Sequence, residues 1–101
     1  MSSDLSRALV IEDDPGYARI LQKRLGQDAQ PSFQVAWSQE LQGGLEQLAK
    51  GQIDVVVLDL VLPDSQGLDT LQRVHAQAPD VPIVVLTGLD DEVLAMEAVR
   101  R

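Results

Sequence analysis

Apolar residues recur along this chain in two rhythms: short unbroken runs, and stretches where they return every third or fourth position. Residues 7–11 (RALVI) form the first run, which predicts a strand. Glu12-Asp13-Asp14-Pro15 follows, and proline at a first helical position behind an aspartate cap marks a helix start. Tyr17, Ile20, Leu21 and Leu25 then fall at the spacing of one helical face. Residues 32–37 (SFQVAW) alternate as a strand does. Ser38 is expected to cap a second helix, with Leu41, Leu45 and Leu48 on one face and an end near Lys50-Gly51.

Residues 53–59 give the third strand, and its continuous apolar run suits a parallel strand covered on both faces. Leu68, Leu71, His75 and Ala78 are spaced for a third helix stopped by Pro79. Residues 81–87 (VPIVVLT) give a fourth strand, with Pro82 near its beginning, where a missing N–H is tolerated. Asp90 opens a last helix containing Val93, Leu94, Met96 and Val99. Strand and helix alternate throughout, which predicts one α/β domain over residues 1–101, a parallel sheet with helices on both faces.

Composition narrows the chemistry. No cysteine is present, so neither disulfides nor a thiolate-bound metal is available. Sixteen acidic residues against eight basic ones give a net charge of −8, which opposes a grip on nucleic acid phosphates. The start, MSSDLSR, lacks an apolar targeting segment, and no apolar run is long enough to span a membrane. A cytoplasmic protein that binds neither membrane nor nucleic acid is the expectation.

In open parallel sheets the ligand site lies beyond the carboxyl ends of the strands. Here those ends carry Glu12-Asp13, Asp59 and Thr87-Gly88. Adjacent first and third strands would bring three or four carboxylates together, where they raise one another's pKa unless a cation sits among them. An oxygen-only donor set suits Mg²⁺ or Mn²⁺ rather than zinc. Asp14 is assigned to capping, while His75, Trp37 and Met96 read as packing or surface residues.

Three pieces, LVIEDDP, VVVLDLVLPDSQGLDTL and PIVVLTG, together resemble the receiver domain of two-component response regulators over nearly the whole chain. The spacing of Asp59, Pro63 and Gly67 is the most specific part. The resemblance implies a flavodoxin-like three-layer sandwich, with strand order 2-1-3-4 for the strands present. It implies that Asp59 is the phosphoacceptor, receiving a phosphoryl group from a sensor histidine kinase or phosphotransfer protein. Glu12, Asp13, Asp59 and the backbone carbonyl of Val61 would hold Mg²⁺, with Asp13 a direct ligand and Glu12 acting through water. Thr87 would contact a phosphoryl oxygen, Gly88 would leave the site open, and Pro63 and Gly67 would shape the loop.

The sequence departs from that family at its end. Receivers carry a fifth strand and helix, a lysine closing the fifth strand and an aromatic switch residue within it. Here Arg101 falls in the fourth helix and no lysine follows Thr87; Lys23 and Lys50 belong to earlier helices. The fifth strand and helix are therefore read as missing, leaving the fourth strand an apolar edge. Homo-oligomers through that edge or by exchange of the last helix, or else marginal stability, are expected, with weakened Mg²⁺ binding and slow or absent phosphoryl uptake. The alternative is a phosphorylation-independent interaction or dimerisation module, or an inactive fragment. A haloacid-dehalogenase-type hydrolase needs a second aspartate two residues after the nucleophile, where Val61 stands. At most, self-phosphorylation and self-dephosphorylation are expected, not turnover of a substrate.

Overall fold

The computed structural model describes residues 6–28 and 32–86. Strands β1 (Ser6–Ile11), β2 (Phe33–Ser38), β3 (Val55–Asp59) and β6 (Ile83–Leu86) form one parallel sheet in the order β2-β1-β3-β6. With β6 as the fourth strand of the sequence reading, this is the expected 2-1-3-4 order of a flavodoxin-like α/β fold. Helices α1 (Pro15–Lys23), α2 (Leu41–Lys50) and α3 (Leu68–Gln77) supply the crossovers. Two short strands, β4 (Val61–Leu62) and β5 (Ser65–Gln66), pair antiparallel in the loop after β3.

Both faces of the central strands are covered, which explains their unbroken apolar runs. Leu9, Ile11, Val56, Leu58, Ile83 and Val85 join Leu41, Leu48 and Val74 in the larger core. Val10, Val57 and Leu86 point the other way, beneath Tyr17, Leu21 and Leu25. Strand alternation thus splits one apolar run between two layers. Gly44 of α2 rests directly on Ile11, since a Cβ there would meet Ile11 Cγ1 at 2.8 Å.

Several boundaries differ from the expectation, each for a local reason. Ser38 does not cap α2: it is the last residue of β2, paired with Ile11, and its hydroxyl closes a short turn onto Glu40. The third strand begins at Val55 rather than residue 53, because Gly51 and Gln52 both take positive φ and redirect the chain. Helix α1 ends at Lys23, and Leu25 belongs to the π-helical turn that follows, Arg24–Asp28. Ile20 is 50 % exposed, while Ala18 is the fully buried residue of that helix. On α3, Thr70 and Val74 take the buried positions, and Leu68 at the helix start is 66 % exposed. Within 81–87, Val81 and Pro82 lead into the strand, with Val81 N–H bonded to the Ala78 carbonyl. Thr87, Gly88 and the helix expected from Asp90 lie outside the described residues.

Candidate acidic site

Register between β1 and β3 assembles the site. Ile11 lies opposite Leu58, so the chain leaves β1 into Glu12 and Asp13 beside Asp59 at the end of β3. Carboxylate oxygens of Glu12, Asp13 and Asp59 lie within 4.8 Å of one another. Their environments are unequal: Glu12 is only 4 % exposed, Asp59 is half-buried and Asp13 faces solvent. Oxygen ligands without histidine or thiolate match a hard divalent cation.

Electrostatics weigh against full ionisation of the cluster. Burial pushes the Glu12 carboxyl up to about 7, the Asp59 and Asp13 charges push the same way, and only the Asp14 N–H opposes them. Burial also raises Asp59, although the Val61 N–H and a hydrogen bond from protonated Glu12 pull it back. Two neighbouring carboxylates sharing one proton is the arrangement expected when like charges meet in a partly buried pocket.

Backbone contacts fix each carboxylate. The Glu12 side chain accepts from Asp14 N–H at 3.1 Å, and Asp59 Oδ1 accepts from Val61 N–H at 3.0 Å. Asp14 caps α1 as expected, accepting from Gly16 and Tyr17 N–H at 2.9 and 3.5 Å. Pro63 stands in the turn between β4 and β5. Gly67 has φ of 73°, and its N–H donates to the Leu60 carbonyl at 2.8 Å, closing the loop. His75, in the last turn of α3, is not one of the clustered acids.

Two contributors were not foreseen from sequence. Trp37 is more than packing: its indole Nε1–H donates to the Glu12 carbonyl at 2.7 Å, while Glu12 N–H donates to the Ser38 carbonyl at 3.0 Å. Asp64, in the β4–β5 turn, accepts from the N–H groups of Leu41 and Gln42 at 2.8 and 3.0 Å. Slight desolvation pulls the Asp64 carboxyl upward, but those two N–H groups outweigh it and hold it below the ordinary value. Local signals gave no hint of either contact. Trp37 and Asp64 are 25 and 23 residues from their partners.

Comparisons with known proteins place the chain in a family. The family described as the response regulator receiver domain matches residues 8–101. The chain belongs to that family. It is 32 % identical over 87 residues to the response regulator ArlR of Staphylococcus haemolyticus, covering 86 % of this chain and 38 % of that protein. It is 38 % identical over 84 residues to the transcriptional regulatory protein QseB of Haemophilus influenzae, covering 83 % of this chain and 37 % of QseB. The receiver therefore spans well under half the length of these curated relatives. A solved complex of histidine kinase ThkA with response regulator TrrA shares its fold at a TM-score of 0.74 and 24 % identity, over 86 % of this chain and 72 % of that one.

Proposed function

We propose that this receiver accepts a phosphoryl group on Asp59 from the phosphohistidine of a sensor histidine kinase or phosphotransfer protein. The observation that carries this reading is the convergence of Glu12, Asp13 and Asp59 within 4.8 Å at the strand ends of a receiver fold. Val61 N–H holds Asp59 Oδ1, leaving Oδ2 to attack phosphorus. The new O–P bond forms as the phosphohistidine P–N bond breaks, and the released imidazole takes up a proton. Glu12, Asp13, Asp59 and the Val61 carbonyl would hold Mg²⁺ or Mn²⁺, which would supply screening of the charge between carboxylate and phosphoryl oxygens. Thr87 would follow the phosphoryl group and Gly88 would keep its approach open.

Support for a kinase partner comes from the family membership and from the fold shared with the ThkA–TrrA complex. No helix among the described residues is long and apolar enough to cross a membrane. The test is transfer from a radiolabelled, autophosphorylated histidine kinase. Label should move to this chain with Mg²⁺ present and should fail to move to Asp59→Asn or in the presence of chelator. Equal labelling of Asp59→Asn would overturn the assignment.

A further inference from the structure

The first turn of α2 is capped by a residue from elsewhere in the chain. Glu40 occupies the N-cap position, yet its side chain makes no capping hydrogen bond. Asp64 supplies both acceptors instead, Oδ1 to Leu41 N–H at 2.8 Å and Oδ2 to Gln42 N–H at 3.0 Å. Capping by an exposed side chain 23 residues away is a tertiary tie, because it fixes the position of the loop as well as the helix.

Both ends of that tie lead to the acidic site. Asp64 sits in the turn of the β4–β5 hairpin, whose other side pairs Val61 with Gln66 and Leu62 with Ser65. Val61 holds the Asp59 carboxylate through its N–H. At the other end, α2 seats Gly44 on Ile11, the residue immediately before Glu12. Leu62, only 1 % exposed, and the hydroxyl pair Ser65–Thr70 at 2.7 Å stiffen the hairpin, so displacement of its tip is passed on to Val61.

We propose that Asp64 is a positioning residue, which holds Asp59 and Val61 in register with Glu12 and Asp13 by clasping the β4–β5 turn to the first turn of α2. The proposal rests on the reading of the acids as a divalent cation site. It does not require Asp64 to touch the cation, and a carboxylate can act at a distance simply through its charge. Asp64→Ala removes both clasp and charge, whereas Asp64→Asn removes the charge and keeps one of the two acceptors.

The experiment is calorimetric titration of the metal-free chain with Mn²⁺, comparing the parent, Asp64→Ala and Asp64→Asn, with circular dichroism confirming that each is folded. Removing a supporting contact of this kind should weaken Mn²⁺ binding about tenfold in Asp64→Ala. Asp64→Asn, which can still accept from one of the two N–H groups, should be weakened clearly less than Asp64→Ala. Equal weakening in both variants would show that charge alone acts and would overturn the proposal, as would parent-like binding by Asp64→Ala. Should Asp64→Ala not fold, Asp64→Asn decides: weakening of about threefold or less supports the clasp, and weakening of about tenfold overturns it. Absence of Mn²⁺ binding in the parent would instead remove the cation-site reading, and the proposal with it.

Discussion

The indole Nε1–H of Trp37 donates to the backbone carbonyl of Glu12 at 2.7 Å, tying the end of β2 to the acidic turn after β1. Trp37 is the only tryptophan of the chain, so its emission reports directly on that turn. Titration with Mg²⁺ is expected to change Trp37 fluorescence saturably. The change should vanish in a Glu12→Gln, Asp13→Asn double variant. Trp37→Phe should cost about 1 kcal/mol from the lost hydrogen bond, read as a lower denaturation midpoint.

Stability of the metal-free domain should depend on pH with a sign set by Glu12. Its folded-state pKa of about 7 lies above the ordinary carboxylate value, so the folded chain keeps a proton that the unfolded chain has released. That contribution is complete below the ordinary carboxylate range and is lost as pH rises through about 7. Asp59 is raised in the same direction and adds to the effect. Thermal midpoints should therefore fall between about pH 5 and about pH 8, and saturating Mg²⁺ should offset the fall. A midpoint that rises with pH in the metal-free protein would contradict this.

Gly44 tests the seating of α2 on the sheet. An added Cβ would lie 2.8 Å from Ile11 Cγ1, so either the helix or the Ile11 side chain would have to shift. Alanine in a helix interior is ordinarily favoured over glycine by about 1 kcal/mol. Here overpacking should outweigh that gain and destabilise the domain by about 1–3 kcal/mol. Chemical denaturation of Gly44→Ala checks the sign; a more stable variant would show that α2 can lift away freely.

Self-association is the fourth expectation. The side of β6 away from β3 has no strand partner among the described residues. Beside it, Tyr17, Leu21, Leu25, Val57, Val84 and Leu86 line an apolar hollow of about 700 Å³. A strand edge without a partner among the described residues, next to such a hollow, favours pairing with another copy. Sedimentation should show mass rising with concentration, and Val84→Lys should suppress it. A constant monomer mass at high concentration would count against association.

Most of the fold was legible because burial on both faces leaves a plain mark. The unbroken VVVL of β3 required two covering layers, and the charge that ends it pointed to the strand-end site. Glu12, Asp13 and Asp59 came together as expected because strand ends in a parallel sheet share one edge. What stayed hidden was whatever depends on partners far along the chain. Ser38 satisfies the local rule for a helix cap, yet Asp64 supplies the cap because the β4–β5 turn reaches α2. On α3 Leu71 and Ala78 pack against the core as expected, but Thr70 and Val74 were missed: Thr70 can be buried because the Ser65 hydroxyl meets its own, and Leu68 is free to point outward.

The central claim is that Asp59 accepts a phosphoryl group. Intact mass of the chain after incubation with Mg²⁺ and a small-molecule phosphodonor tests it most directly, beside an Asp59→Asn control. One phosphoryl group should be added to the parent, slowly because no lysine follows Thr87, and none to the control. No addition to the parent, or the same addition to both, would contradict the claim.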